Sequence, residues 1–285
     1  MPDPEKLLAT IRRATELFRA TPGRSGGVIA LESAEDVIVV GDLHGNIPAF
    51  RKVLGVAALA QHPRRHLVLQ ELIHGNRMYP DEQGDKSHQL VDLVAALKCQ
   101  YPDRVHLILG NHELSELTGR VIGKNGMALN AIFRQGIMTA YGGHADAVYN
   151  AYRCLFAALP LAVRTPNRVF LCHTIPDAIY LDDLDPAIFG LDEWPPETMK
   201  RGGAVYALTW GRDTSEETLE RFAKMVDADW FITGHQPCDE GFRQPNQRQI
   251  IIDGTDPYPA YLLFPASEPV TVESLLEGVR ILPVP

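Results

Sequence analysis

Apolar residues recur along this chain in two rhythms. Short, nearly continuous runs rich in β-branched residues lie at Val37-Ile38-Val39-Val40, His66-Leu67-Val68-Leu69, Val105 to Leu109, Val169 to Leu171 and Trp230 to Thr233. Runs of that length predict strands buried on both faces. Further strands are expected near Leu161 to Val163, Gln249 to Ile252 and Ala260 to Phe264. Helical spacing separates them. Leu7, Leu8, Ile11, Ala14, Leu17 and Phe18 draw one apolar stripe along Pro4 to Ala20, with Pro4 in the first turn and Arg12, Arg13 and Arg19 on a solvated face. Helices are also expected over Ile47 to about Leu59, Ser87 to Gln100, Ala151 to Ala158 and Glu216 to Val226. The alternation predicts a layered α/β fold in one domain, 1–285, with 1–30 as an N-terminal helical extension. There is no internal repeat.

Composition narrows the function classes. A net charge of -9 over 285 residues argues against a general nucleic-acid binder, which needs a cationic face to displace counterions. It leaves room for a phosphorylated substrate, because bound metals supply local positive charge. The four cysteines, Cys99, Cys154, Cys172 and Cys238, are too scattered for a disulfide framework or a zinc ribbon and suggest a reducing compartment. Met1 to Lys6 lacks the basic and apolar regions of a secretion signal, and no apolar run reaches the ~18 residues of a membrane span. A cytoplasmic protein without membrane contact is the expectation.

The candidate chemistry sits directly behind the strands. Gly41-Asp42-Leu43-His44-Gly45-Asn46, Gly110-Asn111-His112-Glu113, Cys172-His173 and Gly234-His235-Gln236 each follow an apolar run. Each therefore falls at a strand's C-terminal end, where α/β sheets carry their sites. Aspartate, asparagine and imidazole together suit a pair of divalent or trivalent transition metals such as manganese, iron or zinc. Asp42 ends an apolar strand, and burying it without a cation would be costly. Asn111 has a bland alternative as the cap of a helix starting at Glu113. Of the ten histidines, His44, His112, His173 and His235 stand in these strings. His62, His66, His88, His106 and His144 read as surface or packing residues.

In order and spacing, these strings resemble the calcineurin-like metallophosphoesterases, and most closely the phosphoprotein phosphatase branch. The likeness runs from about Val37 to Phe264 and includes Leu159-Pro160-Leu161-Ala162, Leu208-Thr209-Trp210 and Asp239-Glu240-Gly241-Phe242. It implies a four-layer α-β-β-α sandwich of two mixed sheets, with 114–150 as a helical cap over the metals. It implies that Asp42, His44 and His235 hold one metal, that Asn111 and His173 hold the other, and that His112 is the general acid. The family's GDxxDRG motif is altered here to Gln70-Glu71-Leu72-Ile73-His74-Gly75. Glu71 stands at the metal-bridging aspartate, His74 at the aspartate that orients the catalytic histidine, and Gly75 at a phosphate-binding arginine. Glu71 is expected still to bridge, so Glu71→Gln should lower metal occupancy and Gln70→Ala should not. His74 could ligate metal, replace the missing aspartate, contact substrate or point away.

Roughly eight extra residues follow this motif. This loop offers Arg77, Asp81, Glu82, Asp85 and Lys86 as replacement groups. Arg212 lies near another family phosphate ligand, and Tyr258 reads as core packing. The resemblance implies metal-dependent hydrolysis of a phosphate ester, with a phosphorylated protein or a small phosphate ester as substrate. A nucleotide or dinucleoside polyphosphate hydrolase and a non-catalytic metal-binding pseudophosphatase are the alternatives.

Overall fold

The computed structural model describes residues 3–80, 83–124 and 126–283. The chain opens with α1 (Pro4–Arg19), β1 (Arg24–Ser25) and β2 (Val28–Ala30). Then come β3 (Asp36–Asp42), α2 (Ile47–Ala57), β4 (Arg65–Gln70), α3 (His88–Gln100) and β5 (Val105–Ile108). The cap region holds α4 (Asn111–Thr118), the hairpin β6 (Gly123–Lys124) and β7 (Met127–Ala128), α5 (Leu129–Tyr141) and α6 (Ala145–Phe156). After it run β8 (Ala162–Arg164), β9 (Val169–Cys172), α7 (Ala178–Leu181), α8 (Ala204–Trp210), α9 (Glu216–Val226) and β10 (Trp230–Thr233). The chain closes with β11 (Phe242–Asn246), β12 (Gln249–Ile252), β13 (Ala260–Pro265), α10 (Val272–Leu276) and β14 (Val279–Ile281).

Two mixed sheets face each other. One is ordered β14-β13-β3-β4-β5, with β3, β4 and β5 parallel and β13 antiparallel to β3. The other is ordered β1-β2-β8-β9-β10-β12-β11, with β9, β10 and β12 parallel. Side chains alternate along a strand, so one apolar run serves two layers. Val37 and Val39 enter the core between the sheets, where they share a cluster with Val163, Leu171, Ile232 and Ile252. Ile38 and Val40 join the cluster that holds the helices, with Phe50, Val94, Phe133 and Phe156. This is the four-layer α-β-β-α arrangement.

The segment expected as a helical extension is part of the body. Asp3 caps α1 by accepting from the Glu5 and Lys6 amides, and Leu7, Ile11, Ala14 and Phe18 are buried on the side that meets α3 and α6. Strand β2 then pairs in parallel with β8. The helix expected over Ala151 to Ala158 begins earlier, at Ala145. Tyr258, expected in the core, is exposed. Among the described residues no helix is long and apolar enough to cross a membrane.

The two sheets meet at one end through a parallel bridge between Asp42 and Asp253, at the C-termini of β3 and β12. The loop inserted after β4 is pinned against the cap nearby, where the Asp85 amide donates to the Ile132 carbonyl. A Cβ on Gly136 of α5 would overlap the Asp85 carbonyl, so the contact requires glycine. Gly→Ala inside a helix ordinarily stabilises by about 0.5–1 kcal/mol. Gly136→Ala is instead expected to destabilise by about 1–3 kcal/mol through overpacking, measured by denaturant unfolding; a gain in stability would contradict this packing.

Candidate active site

The polar strings converge where the sheets meet. Asp42 ends β3, Glu71 follows β4, Asn111 opens α4 after β5, His173 follows β9, and His235 lies two residues beyond β10. Asp42, Glu71, Asn111, His173 and His235 are all buried. Asn111 caps nothing with its side chain, because Gly110 occupies the cap position of α4. Its amide is turned inward, 2.8 Å from His235 Nδ1 and 3.0 Å from His173 Nε2. Glu71 Oε2 lies 2.8 Å from His173 Nε2.

Backbone strain marks the same place. Few side chains tolerate left-handed φ, yet His44 (40°), Glu71 (40°), His74 (63°) and His235 (68°) all adopt it. Such conformations persist where surrounding structure over-determines them. Here the Glu71 carbonyl accepts the Leu43 and His44 amides, the Leu72 carbonyl accepts the Gly45 amide, and the Asp42 carboxylate accepts the His235 amide at 3.0 Å.

The donor atoms fit cations. Two sets have ligand atoms all within 4.8 Å of one another: His44, Glu71 and His112, and Glu71, His173 and His235. Glu71 belongs to both sets, the placement a bridging ligand needs. Asp42 Oδ1 and His235 Nε2 are buried without a hydrogen-bond partner. The histidines are oriented from behind: His44 Nδ1 donates to the Ile73 carbonyl at 2.8 Å, and His173 Nδ1 donates to Gln70 Oε1 at 3.2 Å. A hydrogen on Nδ1 puts the lone pair of each neutral ring on Nε2, the form in which imidazole ligates a metal. His235 shares a donor cluster with Glu71 and His173, and it also lies beside Asp42, whose carboxylate accepts its amide; the β10 loop is tied next to His173 by the Gly234 amide and the His173 carbonyl.

Asp42, His44, Glu71, Asn111, His112 and His235 line a cavity of about 470 Å³ that also includes Arg77, Ile122, Trp210, Arg212 and Asp256. Arg77 and Arg212 are exposed cations at its wall. A Cβ at position 75 would overlap the His44 carbonyl, so this backbone has no room for an arginine there, and Arg77 reaches the cavity from two residues further on. The rest of the inserted loop serves other ends. Lys86 stacks over the Tyr79 ring, and Asp85 holds Ser87, whose hydroxyl receives the His74 amide at 3.0 Å. Asp81 and Glu82 lie outside the described residues.

His74 meets the cavity's edge, but both of its ring nitrogens are engaged: Nδ1 with His112 Nδ1 at 3.0 Å and Nε2 with Glu116 Oε1 at 2.8 Å. Sequence reasoning missed Gln70, Glu113 and Glu116. Glu113 is buried, and its Oε1 accepts the Leu72 amide at 2.8 Å. The four-residue step from His112 to Glu116, which puts both on one face of a helix, was the available signal.

A calcineurin-like phosphoesterase family model matches residues 36–239, and the chain belongs to that family. It is 28% identical over 244 residues to a probable serine/threonine-protein phosphatase of Encephalitozoon cuniculi, covering 79% of this chain and 47% of the relative. It is 25% identical over 262 residues to the PP2A-like serine/threonine-protein phosphatase PPG1 of Candida albicans, covering 84% and 56%. The chain thus spans about half the length of these curated relatives. In fold it resembles a Saccharomyces cerevisiae serine/threonine phosphatase described as similar to human PP5, with TM-score 0.69 and 18% identity over 98% of this chain and 89% of that one. A cold-active protein-tyrosine phosphatase of Shewanella follows at TM-score 0.60 and 14% identity, over 94% and 84%.

Two predictions follow from how the ligands are held. Gln70→Ala should weaken manganese binding about 10–100-fold, as loss of a supporting hydrogen bond does at other metal sites. Titration calorimetry would detect it, and an unchanged affinity would make Gln70 a bystander, as the sequence alone suggested.

The second concerns pH. Burial, then the charge of Glu71, pushes the Asp42 carboxyl well above its usual range, and burial, then Glu113, does the same to Glu71. Burial, then His173, pushes His235 down to about 2. In metal-free protein the carboxyls' contribution to stability is fully present below about pH 4 and is lost as pH rises through their raised folded values. The histidine contribution is present above about pH 6.5 and is lost as pH falls. Metal needs both sets deprotonated. The rise in melting temperature on adding manganese should therefore be larger at about pH 7.5 than at about pH 5; an equal or larger rise in acid would contradict the assignment.

Proposed function

We propose that the chain is a metal-dependent hydrolase of phosphate esters, working in the manner of a phosphoprotein phosphatase on phosphorylated protein or small phosphate-ester substrates. The observation that carries this reading is the shared position of Glu71 in two ligand clusters, with His112 and two arginines facing the same cavity. Asp42, His44, Glu71, Asn111, His173 and His235 would hold two transition-metal ions of the manganese, iron or zinc type. When bound, such a pair supplies Lewis acidity that activates water near neutral pH and offsets charge on phosphoryl oxygens.

The chain's own residues account for the remaining tasks. Arg77 and Arg212 bind the oxygens of the incoming phosphoryl group, for which planar guanidinium forks are suited. Asp42 and Glu71 stay ionised once cations are present, and His44, His173 and His235 stay neutral and able to ligate. His112 acts as the imidazolium, with hydrogens on both ring nitrogens, and delivers the Nε2 proton to the leaving oxygen while Nδ1–H stays turned to His74. Burial, then the neighbouring His44, lowers its pKa well below the ordinary imidazole value, which favours giving that proton up.

Asp42→Asn should abolish turnover. His112→Asn should lower kcat about 10²–10⁴-fold for an ester with a poor leaving group and much less for one with a good leaving group, with metal content unchanged. Steady-state kinetics and elemental analysis check both. Loss of metal from His112→Asn would make that residue a ligand and reverse its assigned role.

A further inference from the structure

A carboxylate only accepts hydrogen bonds. Glu116 accepts three, from His74 Nε2 at 2.8 Å, Asn130 Nδ2 at 2.7 Å and the Tyr149 hydroxyl at 2.7 Å. His74 Nε2 therefore carries hydrogen, and in the neutral ring Nδ1 is a bare acceptor. The hydrogen in the 3.0 Å contact between His74 and His112 must then sit on His112 Nδ1. That fixes the His112 ring with Nδ1–H inward and Nε2 on the cavity side, 3.5 Å from Glu71 Oε1.

The two supporting side chains are fully withdrawn from solvent, at 0% exposure for both His74 and Glu116. Glu116 lies one turn beyond His112 on α4, whereas Asn130 belongs to α5 and Tyr149 to α6. Asn130 Oδ1 also accepts the Ile122 amide at 2.9 Å, beside the hairpin at the cavity mouth. Phe133 of α5 meets the His74 ring edge-on at 5.6 Å between centroids. A fully satisfied buried network of this kind specifies one side-chain arrangement.

We infer that Glu116 and His74 are positioning residues that fix the tautomer and rotation of His112, and that the cap sets this relay through Asn130 and Tyr149. The cap thus tunes proton delivery as well as bounding the cavity. This rests on the general-acid role proposed for His112.

The test uses Glu116→Gln, which keeps shape and removes charge, and Tyr149→Phe, which removes one donor from the cap. Both are assayed in the manganese-loaded protein with phenyl phosphate, a poor leaving group, and 4-nitrophenyl phosphate, a good one. Glu116→Gln should lower kcat on phenyl phosphate about 10–100-fold, part of what a general acid contributes, and on 4-nitrophenyl phosphate less than about threefold. KM and manganese content should not move. Tyr149→Phe should act in the same direction with a smaller effect, and it carries the test if Glu116→Gln does not fold. Nitrogen-15 histidine spectra of the zinc-loaded protein should place the proton on His112 Nδ1 in the parent and lose that preference in Glu116→Gln.

Equal losses on both esters, loss of manganese, or an unchanged His112 tautomer would overturn the relay. His112→Asn assayed in parallel separates the two readings. If it shows no leaving-group dependence, the general-acid role fails and the relay with it. If it does and Glu116→Gln does not, the relay alone is overturned.

Discussion

Everything in this site depends on holding three carboxylates, Asp42, Glu71 and Glu113, out of water at the point where two sheets meet. Among the described residues no lysine or arginine forms an ion pair with any of them; their close partners include backbone amides and the histidines His112 and His173, and the Asp42 and Glu71 side chains meet each other. Desolvating an ion costs several kcal/mol even after relaxation. The same burial that raises the carboxyl pKa values keeps the imidazoles neutral. Such a constellation is one that bound cations would complete. The left-handed backbone at His44, Glu71, His74 and His235, at about 1–3 kcal/mol each, belongs to the same cost.

The departures from the family motif are mutually dependent. Glutamate at 71 is longer than aspartate, and its carboxylate lies in both donor clusters on a left-handed backbone. Gly75 has no room for a side chain, and Arg77 occupies the cavity wall instead. Histidine at 74 removes a negative charge from beside His112, and Glu116 restores one a residue further back. The inserted loop contributes indirectly, since Asp85 and Ser87 hold the His74 backbone. A motif altered at three positions thus retains a coherent set of polar contacts.

Strands β3, β5, β9 and β10 were readable because an uninterrupted apolar run has few alternatives, and their ends delivered the ligand strings directly. The short strands β1 and β14 lack such runs and exist by pairing with neighbours, so local sequence carries little sign of them. Asp42, Asn111 and the four motif histidines were legible because each follows a strand. Gln70, Glu113 and Glu116 were not, because their roles come from the parallel register of β4 with β5 and from the direction of α4, which only folding supplies. The nearness of His235 to His173 also needed structure: the two follow strand neighbours, β9 and β10, whose paired residues Leu171 and Ile232 are 61 positions apart.

The most direct measurement is a titration of chelator-treated protein with manganese, in which bound metal and phosphate-ester turnover are followed in the same samples. A bridged two-metal centre predicts negligible turnover in the stripped protein and activity that rises until two equivalents are bound, with Glu71→Gln failing to reach that stoichiometry. Full turnover in the stripped protein, or activity complete at one equivalent and indifferent to Glu71, would contradict it.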